Sequence, residues 1–129
     1  RGMALVAVVI ALALIEYMVF ALLVGRARVR CKVLAPATTG HPVFERYFRV
    51  QQNTLEQLVV FVPSAWLFGY YVSAVWAAGL GLVYVMGRVL YLRGYVADPK
   101  KRGAGFGLSF LPNMILAVGA LVGAILSLV

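Results

Sequence analysis

The 129-residue sequence is short of charge, of cysteine and of acidic residues. Only 12% of the residues are charged and 64% are hydrophobic, a balance that excludes an ordinary soluble domain of this size. The one cysteine, Cys31, excludes an internal disulfide. A net charge of +8 would suggest nucleic acid in a soluble protein. Here the cations are better explained by membrane topology, so no nucleic-acid partner is expected.

Long uncharged runs predict membrane-spanning helices, because about 18 or more such residues are needed to cross a bilayer. The sequence offers four candidates: residues 3–24, interrupted only by Glu16, residues 58–72 extended backward, residues 73–87 extended forward to about 95, and residues 103–129. The second and third have a short uncharged core and an ionisable end, which protein or the membrane interface must cover. We therefore predict a single all-α domain over residues 1–129, an integral membrane up-down four-helix bundle. Arg1 and Gly2, ahead of Met3, are interpreted as a cloning remnant.

The basic residues predict the orientation of this bundle. Ten of the twelve Lys and Arg residues lie in the connection between spans one and two or between spans three and four. The connection between spans two and three carries no charge. The positive-inside rule places both basic connections in the cytoplasm, where they would also attract anionic membrane lipid. We expect a bacterial inner membrane, with the endoplasmic reticulum as the alternative.

Two polar stripes interrupt the apolar helices. At about 100° per residue, the second span gathers five polar side chains within an arc of about 100°. They are Glu45, Arg46, Arg49, Asn53 and Glu56. The third span carries a narrower stripe formed by Tyr84, Arg88, Tyr91 and Tyr95. Since neither stripe can face lipid cheaply, both are expected to meet inside the bundle.

The stripes and their loops hold more cations than anions. One interpretation pairs Glu56 with Arg88 or Arg49, so that the stripes satisfy each other. The remaining excess of guanidinium groups indicates an anionic ligand, because bidentate arginine contacts suit carboxylates. Three acids, Glu45, Glu56 and Asp98, are present for six arginines: Arg28, Arg46, Arg49, Arg88, Arg93 and Arg102. We therefore predict a small polycarboxylate at this end of the bundle.

The loop before the fourth span adds a site for an anion. Asp98 followed by Pro99 predicts an N-cap and the first position of the fourth helix. Arg102 then lies near the positive end of that helix. A guanidinium group held there would stabilise a thiolate, whose parent thiol has a pKa of about 8.5.

Two motifs on these stripes resemble a known family. "FERYFRVQQNTLEQ", residues 44–57, resembles the E-R-x-x-R-x-Q-x-N-x-x-E signature of the MAPEG family, the membrane-associated proteins of eicosanoid and glutathione metabolism. "RVLYLRGY", residues 88–95, is similar to the family's R-x-x-Y-x-x-G-Y element. The first loop is similar to that of the branch containing microsomal glutathione transferases and leukotriene-forming synthases.

The resemblance implies a homotrimer that binds glutathione, as co-substrate, between neighbouring chains, with no metal. It implies a glutathione transferase that acts on lipophilic electrophiles, with reduction of lipid hydroperoxides as a further activity. From one chain it implies a glutathione site formed by Arg49, Asn53, Glu56, Tyr91 and Tyr95, completed by Arg28 and Gln51 of the next. Arg102 matches the arginine that ionises the thiol, and Glu45, Arg46 and Arg88 would support the site. Gln57 departs from the tyrosine of the leukotriene branch, which argues against a leukotriene substrate.

Two alternatives come from other functional classes. A small multidrug-type transporter also has a glutamate in its first span, as Glu16 is here, but such transporters have a weak charge bias in their loops. Glu16 would otherwise pair with an arginine in the bundle or between subunits. A non-enzymatic lipid-binding scaffold of the same fold is the second alternative. Arg102 argues against it, because the family's non-transferring activating protein lacks this arginine.

His41, in a Gly-His-Pro turn, is interpreted as a loop residue.

Overall fold

The computed structural model describes residues 2–129 as four long α-helices joined by short connections. Helix α1 is Gly2–Cys31, α2 is Pro42–Tyr71, α3 is Ala74–Ala97 and α4 is Gly103–Ser127, with a 3-10 helix, Pro99–Arg102, ahead of α4. Short connections make successive helices antiparallel, so the predicted all-α up-down bundle is confirmed. Arg1 lies outside the described residues, and the interpretation of residues 1–2 as a cloning remnant stays a prediction.

Side-chain caps explain where the helices begin. The Nδ1 atom of His41 accepts a hydrogen bond from the Val43 amide at 3.1 Å, directly before Pro42. Ser73 caps α3 in the same way, through the Trp76 amide at 3.2 Å. Because α2 begins at Pro42, the polar stripe of the second span is helical throughout.

Three stretches of residues 2–129 are long and apolar enough to cross a membrane: α1, α3 and the segment Pro99–Ser127. Helix α2 is as long as α1, with 30 residues, but its first half carries the charged stripe. It packs against each of the other three helices. This packing half-buries Glu45, Arg46 and Asn53 of the stripe, whereas its other two residues stay exposed. Composition alone thus identifies three spans, and packing accounts for the fourth helix of the bundle.

The core divides into three clusters along the bundle. The central cluster contains a stacked pair of rings, Phe61 and Tyr84, with centroids 4.2 Å apart. Phe20, Val50 and Tyr91 form a second cluster nearer the charged connections. Large apolar side chains cover the outside of the bundle, as expected for helices that contact lipid.

Helices α3 and α4 approach each other closely because a glycine on each helix faces the backbone of the other. A Cβ atom at Gly105 would overlap the backbone of Tyr91, and one at Gly87 would lie 2.7 Å from the Leu108 carbonyl carbon. Small residues allow such backbone contact between membrane helices. This packing fixes the height of α4 relative to the polar stripe of α3.

Candidate active site

An open pocket of about 310 Å³ lies where α2, α3 and the 3-10 helix meet. This end of the bundle carries both basic connections, and we call it the basic end. The pocket is lined by Arg49, Gln52, Asn53, Glu56, Tyr91, Tyr95 and Arg102. One chain therefore brings together the predicted catalytic arginine and the binding residues assigned to that chain. Gln52 was not predicted, although its position at the edge of the polar arc could have indicated it.

Arg88 lies behind the wall of this pocket and is fully buried. Its guanidinium group donates hydrogen bonds to three neutral side chains: Asn53 Oδ1 at 2.9 Å, Thr54 Oγ1 at 2.7 and 3.2 Å, and Ser109 Oγ at 3.1 Å. It also lies 4.4 Å from the centroid of the Tyr91 ring, a cation–π distance. Arg88 thus holds two residues of the pocket wall from behind.

The hydrogen bonds of Arg88 do not support the interpretation that the acids and arginines of the two stripes pair with each other. Its acceptors are an amide and two hydroxyl groups, whereas Glu56 lies on the open side of the pocket and is exposed. Thr54 and Ser109 were not predicted, because the sequence does not indicate which group a hydroxyl in an apolar helix will bond. The periodicity correctly placed the arginine inside the bundle, but Glu56 is not among the acceptors of its hydrogen bonds.

The 3-10 helix presents Arg102 at the rim of the pocket. The predicted cap at Asp98 is present: its Oδ1 accepts from the Lys100 amide at 3.1 Å. It opens the 3-10 helix, however, and α4 itself begins at Gly103. Arg102 is exposed, and its Nη1 donates to the Pro99 carbonyl at 2.7 Å. This bond leaves Nη2 and Nε available for an anionic ligand.

A second, larger cavity of about 500 Å³ adjoins the pocket and shares Arg49 and Tyr95 with it. Two residues predicted to support the site line this cavity. Arg46 donates to the Val96 carbonyl at 3.0 Å and so ties α2 to the end of α3. Glu45 accepts from the Gly40 amide at 3.0 Å and fastens the first loop to α2. The cavity gives the pocket a wide polar opening at the basic end.

Arg28 and Gln51 do not line the pocket of their own chain. Arg28 donates through Nη1 to the carbonyl oxygens of Ala37 at 2.7 Å and Val33 at 3.4 Å. Its guanidinium carbon also lies 4.7 Å from the centroid of the Phe44 ring. Within one chain, Arg28 therefore fastens the first loop. The assignment of both residues to a neighbouring chain's site stays a prediction.

Gln57 turns away from the pocket. Its carbonyl oxygen and Oε1 accept from Asn113 Nδ2 at 3.2 and 3.1 Å. The side chain at this departure from the leukotriene branch therefore joins α2 to α4 within the bundle. It adds nothing to the pocket wall of this chain.

The fold and the pocket define a class: a helical membrane bundle with a cation-rich pocket at its basic end. Residues 5–122 match the model of the MAPEG family. The chain belongs to the MAPEG family, and it is an integral membrane protein.

Three relatives show how far the similarity extends. An uncharacterized protein from Synechocystis sp. is 51% identical over 116 residues, covering 90% of this chain and 85% of the relative. Human microsomal glutathione S-transferase 2 is 50% identical over 106 residues, covering 82% and 70%. Leukotriene C4 synthase from Bos taurus is 35% identical over 120 residues, covering 93% and 80%. The similarity thus spans most of the bundle, including both polar stripes.

Proposed function

We propose that the protein is a membrane glutathione transferase that conjugates the thiolate of glutathione to lipophilic electrophiles. The observation that carries this proposal is the composition of the pocket wall: two guanidinium groups, one carboxylate, two amides and two phenols around one opening. Its volume of about 310 Å³ is within the range of small-molecule sites. The name of the human relative, a glutathione S-transferase, supports the same assignment.

The charges of the pocket complement those of glutathione, which has two carboxylates, one ammonium group and a thiol. Arg49 suits a carboxylate through bidentate hydrogen bonds, and Glu56 suits the ammonium group. Asn53 Oδ1 accepts from Arg88, so its amide nitrogen is left to donate to a ligand. Tyr91 and Tyr95 supply hydroxyl groups on the opposite wall. The tripeptide would thus be oriented by several different groups.

Arg102 is proposed to stabilise the thiolate. Lowering a thiol pKa by two units corresponds to about 2.7 kcal/mol, which one guanidinium group supplies in a partly dry site. The thiol proton leaves to solvent through the open side of the pocket. The thiolate sulfur then attacks an electrophilic carbon, and the carbon–sulfur bond forms as the leaving group departs with its electron pair.

A lipid hydroperoxide is proposed as a second substrate. The thiolate would attack the terminal oxygen and release an alcohol as the oxygen–oxygen bond breaks. This leaves a sulfenic acid on glutathione, which a second glutathione converts to the disulfide and water. Each turnover thus oxidises two glutathione molecules and reduces one hydroperoxide. Both kinds of lipophilic substrate would reach the site laterally from the bilayer.

The proposed assembly is a homotrimer with its sites between neighbouring chains. Arg28 and Gln51 lie outside the pocket of their own chain, a position that suits contact with the pocket of a neighbour. The concentration of Lys and Arg at the basic end supports a cytoplasmic location for that end. We place the protein in a bacterial inner membrane, where glutathione would enter from the cytoplasm.

The variant Arg102→Leu tests the proposed mechanism. We expect kcat/KM for conjugation of glutathione to chlorodinitrobenzene to fall by about 10²-fold, the usual effect of losing one charge-stabilising donor. The thiolate absorbance of the bound complex should disappear, while glutathione still binds through the other pocket residues. Lys101→Ala is the matched control, because Lys101 is also exposed and does not line the pocket. Unchanged conjugation by Arg102→Leu would show that the mechanism is wrong.

A further inference from the structure

The candidate active site leaves one buried charged side chain of residues 2–129 unexplained: Glu16, in the middle of α1. Glu16 is only 9% exposed, and neither of its carboxylate oxygens has a hydrogen-bond partner among residues 2–129. An ionisable group inside a membrane bundle is costly and is generally retained opposite a polar partner. Glu16 therefore needs a partner within the bundle.

The helical register places Glu16 at the level of Arg88. Helices α1 and α3 run in the same direction, and Phe20 of α1 packs in one cluster with Tyr91 of α3. One turn before these residues stand Glu16 on α1 and Arg88 on α3. Ala13, a further turn back, belongs to the central cluster. The register therefore brings the carboxyl group of Glu16 and the guanidinium group of Arg88 to one level of the bundle, on two helices that pack against each other.

Arg88 has need of such a partner. A fully buried guanidinium group stays charged, and its hydrogen-bond acceptors in this chain are all neutral. The other three acids are engaged or exposed elsewhere. Glu45 and Asp98 accept from loop amides, and Glu56 faces the open pocket. Glu16 is thus the acid that can balance this charge inside the bundle.

Two more buried polar atoms at this level have no partner: the hydroxyl oxygen of Tyr84 and Oδ1 of Asn113. Tyr84 lies one turn from Arg88 on α3, and Asn113 lies one turn from Ser109 on α4. Because these helices are antiparallel, both turns lead away from the basic end. A water molecule can donate to the carboxylate and to the amide oxygen while accepting from the hydroxyl. Three hydrogen bonds are typical of a buried water.

We propose that Glu16 is the internal counter-charge of Arg88, joined to it by ordered water held by Tyr84 and Asn113, and that it is a positioning residue for the pocket. Arg88 donates to Asn53 and contacts Tyr91. Loss of the charge that balances Arg88 would therefore shift two residues of the pocket wall. The positioning role rests on the proposed function. The counter-charge role does not.

A double-variant cycle tests the counter-charge. The Tm is measured in detergent for the wild type, Glu16→Gln, Arg88→Gln and the double variant. Each single variant should lower the Tm by several degrees, because it leaves one charge buried alone. The double variant should lose much less than the sum, because it removes both charges. Additive losses, or a Glu16→Gln variant as stable as the wild type, would overturn the proposal.

A matched control shows that the cycle reports coupling. Ser64 is also polar and buried, and it lies ten residues beyond Thr54 along α2. Ser64→Ala combined with Arg88→Gln should give additive losses. If this pair shows the same non-additivity, the effect belongs to general destabilisation and the counter-charge is not supported.

Kinetics then test the positioning role. Glu16→Gln keeps the size of the side chain and removes its charge, whereas Glu16→Asp keeps the charge and shortens the side chain. We expect Glu16→Gln to raise KM for glutathione several-fold and Glu16→Asp to stay nearer the wild type. The reverse order would indicate packing and overturn the role of charge. If the wild type shows no conjugation at all, the proposed function fails, while the Tm cycle still decides the counter-charge.

Discussion

Replacement of Gly105 by alanine tests whether the contact between α3 and α4 sets the geometry of the pocket. A Cβ atom there would lie 2.7 Å from the carbonyl carbon of Leu90 and closer still to the backbone of Tyr91, whereas ordinary van der Waals contact begins at 3.4 Å. The backbone of Tyr91 cannot rotate away as a side chain would. The two helices must therefore separate by about 1 Å, and overpacking of this kind costs about 1–3 kcal/mol.

The same separation should reach the pocket. Ser109 donates to the carbonyl oxygens of Gly105 and Phe106 and accepts from Arg88 at 3.1 Å. A shift of α4 therefore moves one support of Arg88, which holds the pocket wall from behind. Misplacement of catalytic groups by about 1 Å can reduce a rate by about 10²-fold. We expect Gly105→Ala to lower the Tm by several degrees and to lower kcat/KM with chlorodinitrobenzene by at least tenfold.

Gly107→Ala provides the matched control on the same helix. A Cβ atom at Gly107 meets nothing within 4 Å, and alanine in place of a helical glycine stabilises by about 0.5–1 kcal/mol. Gly107→Ala should therefore match or exceed the wild type in Tm and keep its activity. Equal losses in both variants would refute the argument, because they would show that the two glycines act through helix propensity or another surface.

Two further predictions concern the neighbouring chain and the 3-10 helix. If sites are shared between chains, co-expression of Arg49→Ala with Gln51→Ala should give mixed trimers with activity above either parent. In a closed ring each mixed trimer keeps one site whose two chains both supply wild-type residues, which is about a quarter of all sites after random assembly. Activity no greater than the mean of the two parents would contradict shared sites. Asp98→Ala removes a cap worth about 1 kcal/mol, so the segment ending at Arg102 should become more sensitive to trypsin and kcat/KM should fall. Unchanged proteolysis would show that the cap does not hold this segment.

The pocket wall was predictable because the required information is local. Arg49, Asn53 and Glu56 share a face by helical periodicity alone, as do Tyr91 and Tyr95. Short connections and the cost of polar groups in lipid then bring the two faces together. The structure places these five residues around one opening.

The supports of the pocket were not predictable in the same way. Thr54 and Ser109 bond Arg88 from two different helices, and their meeting depends on the height of α4 relative to α3. That height is set by the contact of Gly105 with the backbone of Tyr91, and the sequence does not identify which residue Gly105 will meet. The interpretation that paired Glu56 with Arg88 or Arg49 weighed charges and ignored neutral acceptors, although hydroxyl and amide oxygens also accept hydrogen bonds from a guanidinium group.

Arg28 fastens the first loop of its own chain, and this role is compatible with the contact proposed for it in a neighbouring chain's site. Both of its hydrogen bonds within the chain, to Val33 and Ala37, use Nη1. A guanidinium group has five N–H donors in a fixed fork, so Nε and Nη2 keep their hydrogens for another acceptor. The bonds through Nη1 and the contact with Phe44 fix the orientation of the guanidinium group. Because the side chain is already ordered, binding of a ligand would cost less side-chain entropy. A structural role inside the chain therefore favours, and does not compete with, the proposed contact to glutathione held by the next chain.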